Sequence, residues 1–311
     1  MENILVTGGA GYIGSILTEN LLELGFYVTV VDNFMYKQAS LNHLCHNPRF
    51  NIINGDIRNE KVIAPLMKKA DTIIPLAALV GAPLCNKDTV GADTTNKEAI
   101  YTMLKHKSKD QRIIMPTTNS AYGSGDENNF CTEESPLNPI SKYAIDKVLV
   151  EKELMEHQNV ISYRLATVFG MSPRMRTDLL VNDLTYRAVN DGYVIIFEGH
   201  FKRNYIHVRD VCDAFLHAVY NFDDMKDQIY NVGLSTANVS KLELCEIIKK
   251  FVPEFTIVEG EIKKDPDQRN YIVSNAKLEA TGFEPMFTLE HGVVELLKGY
   301  RMIKNNIYGN V

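Results

Sequence analysis

Short apolar runs alternate along the chain with stretches whose apolar residues recur every three or four places. Ile4-Leu5-Val6 is the compact apolar run of a buried strand, and Ile13, Ile16, Leu17, Leu21 and Leu24 then fall on one face of a helix. Tyr27-Val28-Thr29-Val30-Val31 predicts a second strand and 50–53 a third, closed by Asn54-Gly55-Asp56. Val62, Leu66 and Met67 mark a helix, and Thr72-Ile73-Ile74 a fourth strand that leads into the small-residue run 77–83. A helix is expected over 94–106, a fifth strand over 112–115 cut by Pro116, a long helix over 143–157 and a sixth strand over 160–163. The later chain is less regular. It predicts helices over 180–190, 208–220 and 289–304, a short strand over 194–197, and a run Ile229-Tyr230-Asn231 able to rejoin the main sheet.

Strand–helix alternation of this kind predicts an α/β fold, a doubly wound parallel sheet covered on both faces. Ligands then bind beyond the C-terminal ends of the strands. No repeat, low-complexity tract or linker divides the chain. The expected organisation is a first domain over 1–168, rejoined by 204–234, and a smaller α/β substrate lobe built from 169–203 and 235–311.

The first strand-to-helix turn reads Thr7-Gly8-Gly9-Ala10-Gly11-Tyr12-Ile13-Gly14. Bare backbone at such a turn can approach a pyrophosphate, and the helix N-terminus offers free N–H groups. Three glycines alone also describe an ordinary tight turn. Asp32 changes the reading, because it ends the second strand 18 residues past Gly14. An acid there accepts hydrogen bonds from the adenosine ribose hydroxyls and repels a 2′-phosphate, which points to NAD and away from NADP.

Composition narrows the class. The 311 residues are 45% hydrophobic and 23% charged, with a net charge of −6, which argues against a nucleic-acid surface. The longest uncharged stretch, 3–18, is too short to span a bilayer, and no signal peptide is evident, so no membrane partner and a cytoplasmic location are expected. Cys45, Cys85, Cys131, Cys212 and Cys245 are scattered and odd in number, as in a reducing compartment. His43, Cys45 and His46 lie in a row but lack a second ligand cluster, so no metal site is expected.

Tyr143 and Lys147 are four apart on a predicted helix and share a face. An ammonium beside a phenol favours the phenolate, and lowering a tyrosine pKa from about 10 to near 7 takes roughly 4 kcal/mol. Such a tyrosine can take the proton of a sugar hydroxyl as hydride leaves the same carbon. The spacing recurs at Tyr101/Lys105 and Tyr300/Lys304, but only Tyr143 follows the fifth strand and its polar loop, 116–123. Thr118 in that loop is placed to relay or align the proton, although hydroxyl-rich turns also cap backbone groups. Cys131 is read as structural.

These motifs resemble the extended short-chain dehydrogenase/reductase family, in its nucleotide-sugar epimerase/dehydratase branch. Gly8, Gly11 and Gly14 match its glycine turn, Asp32 its ribose-binding acid, and Gly55-Asp56-Ile57-Arg58 the segment whose aspartate holds the adenine amino group. Leu76-Ala77-Ala78 matches the strand end beside the cofactor, although Pro75 stands where a histidine is usual. Tyr143 and Lys147 match the catalytic pair and Thr118 the Ser/Thr position. The likeness continues through 164–170, 203–210 and 267–269. It implies further cofactor contacts at Tyr12, Ile13, Asn33 and Ile57. It implies substrate contacts at Val80, Asn119, Ser120 and Thr167, with Asn182, Arg203 and Arg269 holding the diphosphate; Arg174 and Arg176 either add to them or form a solvated surface pair. A homodimer through the helices over 94–106 and 143–157 is also implied.

The resemblance narrows the reaction as well. Its members begin by oxidising a sugar hydroxyl, usually at C4. The 4,6-dehydratases carry Asp-Glu directly after the catalytic threonine, where this chain has Asn119 and Ser120, neither a useful acid or base. Dehydration is therefore disfavoured. The expected reaction is NAD-dependent C4 oxidation of a nucleotide sugar, with a GDP-heptose of capsule biosynthesis favoured and a 2-oxo acid as a possible hydride acceptor. The alternatives are 4-epimerisation and a non-catalytic NAD-binding protein of the same fold.

Overall fold

The protein is described here by a computed structural model covering residues 2–124, 130–260 and 270–303. Its strands are β1 (Asn3–Thr7), β2 (Tyr27–Asp32), β3 (Phe50–Asn54), β4 (Thr72–Pro75), β5 (Arg112–Thr118), β6 (Val160–Leu165), β7 (Thr167–Phe169), β8 (Tyr193–Ile196), β9 (Lys202–His207), β10 (Gln228–Val232), β11 (Asn238–Ser240) and β12 (Thr256–Glu259). Seven form one sheet in the order β3-β2-β1-β4-β5-β6-β10, every pair parallel. Strand order reverses between β1 and β4, so the crevice at their C-terminal ends is where a dinucleotide belongs.

Alternation sorts the side chains of β1. Ile4 and Val6 face a core shared with the helices Gly14–Glu23 and Val208–Tyr220, while Leu5 faces one shared with Glu60–Met67, Ala99–His106 and Lys142–Leu154. The first of these cores continues without a break into Leu184, Leu244 and Leu296, so the C-terminal lobe packs on the main sheet through shared apolar contacts. That lobe holds two small sheets, β11-β9-β7 and β12-β8. Thus β9 belongs to the lobe, whereas the helix after it and β10 return to the main sheet. No helix among the described residues is long and apolar enough to cross a membrane.

Two local expectations are corrected. Pro116 does not cut β5, which runs on to Thr118 and pairs with β6 from Ile113 to Thr118. On its other side β5 pairs with β4 only at Arg112 and Ile113, so a missing N–H further along costs no ladder bond. The helix expected over 94–106 is interrupted as well. Thr89–Asp93 and Ala99–His106 are joined by a π-helical turn at Thr94–Glu98, and a short helix, Ala82–Lys87, precedes them. The last helix ends at Gly299.

Candidate active site

The glycine turn has the geometry that bare backbone requires. Gly8 adopts φ +70° and its N–H donates to Val31 O at 2.7 Å. A Cβ on Gly8 would lie 2.6 Å from the Ala77 nitrogen, and one on Gly14 would press on the Gly8 carbonyl. The turn is therefore packed against the end of β4 and the start of the next helix with no room for side chains.

A groove opens over this turn. Gly8, Ala10 and Gly11 line it with Asp32 and Asn33, Asp56 and Ile57, and Leu76, Ala77 and Ala78. The Asp32 carboxylate accepts from Ala10 N at 3.0 Å and Phe34 N at 2.8 Å. Burial pushes its pKa up, against those bonds, which lower it. Asp56 is gripped by Arg58, whose Nε donates to both carboxylate oxygens at 3.0 Å, and the guanidinium holds its pKa down. Arg58 also lines the groove, which sequence reasoning had not singled out.

The catalytic candidates stand at the end of β5. Lys147 is almost completely buried on Lys142–Leu154, and its Nζ donates to Pro116 O at 3.0 Å. Burial pulls its pKa down to about 8, with Cys85 and Asp146 opposing. Tyr143, one turn earlier, is half-buried and packs on a cluster of Leu79, Cys85 and Ala92. Leu79 also lines the groove, whereas Tyr143, Lys147 and Thr118 are not among its lining residues. Thr118 caps a short 3-10 turn, accepting from Ser120 N at 3.1 Å and donating to Ser120 Oγ at 3.0 Å. Asn119 beside it is 1% exposed, and among the described residues neither atom of its amide has a hydrogen-bond partner.

Asn96 is a positioning residue that the sequence did not reveal. Its amide accepts from Leu79 N at 2.8 Å and donates to Leu79 O at 2.9 Å. It sits in the π-helical turn Thr94–Glu98, and such turns often mark functional sites. That turn was the signal, invisible before the fold was known.

Several expected contacts fall elsewhere. Tyr12 and Ile13 turn their side chains into the core, and the Tyr12 hydroxyl donates to Gly170 O at 2.6 Å, so only their backbone is left for a cofactor. Asn182 is fully buried, accepting from Gly170 N at 3.0 Å and donating to Arg176 O at 2.8 Å. Its side chain is committed to holding the lobe, which removes it from the diphosphate set. Arg176 pairs with Asp178. Arg174 lines the groove beside Tyr36. Arg203 is buried on β9, opposite Val239, and Thr167 is half-buried on β7 opposite Tyr205. Val80 is half-buried just beyond the groove residue Leu79. Arg269 lies outside the described residues. Cys131 packs with Tyr122, Tyr271 and Val273, and burial raises its pKa. The Tyr300 hydroxyl is spent on Asn182 O at 2.7 Å, which separates it from any catalytic use. Among the described residues no group of three or more potential metal ligands occurs.

The cradle at Gly8 and Gly14 and the carboxylate at Asp32 fit a dinucleotide with free ribose hydroxyls. Comparison with known proteins agrees. The chain is 29% identical over 305 residues to the low-salt glycan biosynthesis protein Agl12 of Haloferax volcanii, covering 94% of this chain and 96% of that one. It is 26% identical over 323 residues to a putative UDP-glucose 4-epimerase of Methanocaldococcus jannaschii, covering 97% and 99%. The UDP-glucuronic acid 4-epimerase of Bacillus cereus, solved with UDP-glucuronic acid and NAD, superposes with a TM-score of 0.86 at 23% identity, covering 96% of this chain and 99% of that one. With the family model matching residues 4–233, the chain belongs to the NAD dependent epimerase/dehydratase family, and NAD is its cofactor.

Proposed function

We propose that the protein oxidises a nucleotide sugar at C4, with a GDP-heptose as the favoured substrate, and releases or passes on the 4-keto sugar. Asn119 carries this reading. It follows Thr118 directly, where a dehydratase would need an acid, and its buried amide finds no partner among the described residues. An orphaned buried amide is costly, and a sugar hydroxyl would satisfy it. Bound NAD supplies the hydride acceptor. Tyr143 takes the hydroxyl proton, Lys147 stabilises the resulting phenolate and holds the ribose, and Thr118 aligns the proton. Neither Asn119 nor Ser120 can remove a C5 proton at neutral pH, so elimination of the C6 hydroxyl lacks its base.

The curated relative named as a putative UDP-glucose 4-epimerase favours a second reading, in which the 4-keto sugar turns and regains hydride on its other face. Incubation with GDP-, UDP- and dTDP-sugars, with and without a 2-oxo acid, separates the two. A 4-keto product exceeding one equivalent per enzyme supports net oxidation, while a stereoisomer of unchanged mass supports epimerisation. We further propose that two copies pair through Lys142–Leu154 and the helix beside it. Ile145 and Leu149 are exposed one turn apart on its outer face, and light scattering showing a monomer would reject the pairing.

A further inference from the structure

Two residues from distant parts of the chain meet at the groove. The guanidinium carbon of Arg174 lies 3.9 Å from the centre of the Tyr36 ring. Tyr36 comes from the loop after Asp32, and Arg174 from the segment that leaves β7 for the C-terminal lobe. Both line the groove together with Gly8, Ala10 and Gly11.

Arg174 is only 2% exposed, and its segment is fastened on both sides. Before it, Ser172 Oγ donates to Tyr12 O at 2.7 Å and meets Ser15 Oγ at 3.0 Å, tying the segment to the glycine turn and the helix that follows. After it, the Arg176 carbonyl accepts from Asn182. A guanidinium held this way is not a solvated surface charge. Burial and the neighbouring Arg176 weaken its hold on its proton, and a bound anion would reverse that. Stacking on an aromatic face offsets part of the burial cost and fixes the plane of the fork. The carboxylate on that side of the groove, Asp32, is already engaged by two backbone N–H groups.

We infer that Arg174, set in position by Tyr36, is a cofactor residue that takes a phosphate oxygen of the ADP half of NAD, and is not part of the sugar-nucleotide diphosphate site. The inference rests on the NAD reading of the groove. It ties cofactor retention to the C-terminal lobe, because the segment that carries the charge is the one that leads into that lobe.

Calorimetric titration of the full-length protein, freed of bound nucleotide, with ADP, adenosine, GDP and UDP tests this. Arg174→Gln is expected to weaken ADP by roughly tenfold to a hundredfold while leaving adenosine within about twofold. Tyr36→Leu is expected to weaken ADP less, and Tyr36→Phe to leave it unchanged, since the ring and not the hydroxyl carries the stack. Unchanged ADP affinity in Arg174→Gln would overturn the inference. So would an equal loss of ADP and adenosine, which marks a purely structural role, or a loss confined to GDP or UDP, which returns Arg174 to the substrate. Should Arg174→Gln not fold, Arg174→Lys keeps the charge without the planar fork, and an ADP affinity equal to wild type would likewise overturn it. Failure of the unaltered protein to bind ADP would instead sink the NAD reading itself.

Discussion

The Lys147 ammonium donates to the Pro116 carbonyl at 3.0 Å, from a site that water does not reach. Proline contributes twice here. It leaves β5 without an N–H on the side where β4 has already parted from it, and its carbonyl gives the lysine a fixed anchor behind Tyr143.

That burial has a pH signature. The folded-state pKa of Lys147 is about 8, against about 10.4 for an unfolded lysine. Between those values the unfolded chain binds more protons, so this group makes stability rise as pH rises. Below about pH 8 the ammonium is buried at full cost, on the order of 3 kcal/mol. Lys147→Met is therefore expected to be more stable than the parent at pH 7, with the gap closing towards pH 10. Urea denaturation across that range, without added nucleotide, reads the difference.

Tyr143→Phe removes the proton acceptor and leaves the ring packed on the small cluster that contains Leu79, Cys85 and Ala92. Turnover of the true substrate is expected to fall by roughly a hundredfold or more, with NAD affinity and thermal stability preserved. Wild-type turnover in this variant would show that the base has been misassigned.

Glu151 and Arg164 form a buried pair, with Arg164 Nη2 at 2.6 Å from a Glu151 oxygen and both Thr117 and Ser162 donating to the other oxygen. Arg164 also reaches the Tyr122 hydroxyl at 3.0 Å, so the pair braces β5, β6 and the 3-10 turn that Thr118 caps. Glu151→Ala leaves a buried guanidinium and is expected to cost about 3–5 kcal/mol in denaturant titration. Adding Arg164→Met should recover part of that loss, since the stranded charge goes with it.

Gly14→Ala places a methyl group against the Gly8 carbonyl and the Gly9 backbone, where no flexible side chain can give way. The turn must move. A loss of about 1–3 kcal/mol in stability is expected, with NAD binding weakened more than that of a ligand contacting only the lobe. Fluorescence titration with NADH and a thermal melt of the same preparation measure both.

What the sequence determined by itself is the local and periodic part. Apolar runs of strand length, the 3.6-residue spacing of the helices and the glycine turn ending in Asp32 are short-range patterns, so the parallel sheet and its cofactor crevice were legible before any coordinates. That Tyr143 and Lys147 share one helix was legible for the same reason, being one helical turn apart. Only the tertiary structure decided where isolated polar side chains go, because that depends on segments far away in the chain. Asn182 binds Gly170 and Arg176, Tyr12 reaches across to Gly170, and Arg174 crosses to Tyr36. A proline inside β5 and a π-helical turn at Asn96 are tolerated because neighbouring elements supply or excuse the missing hydrogen bonds, a condition that no local pattern records.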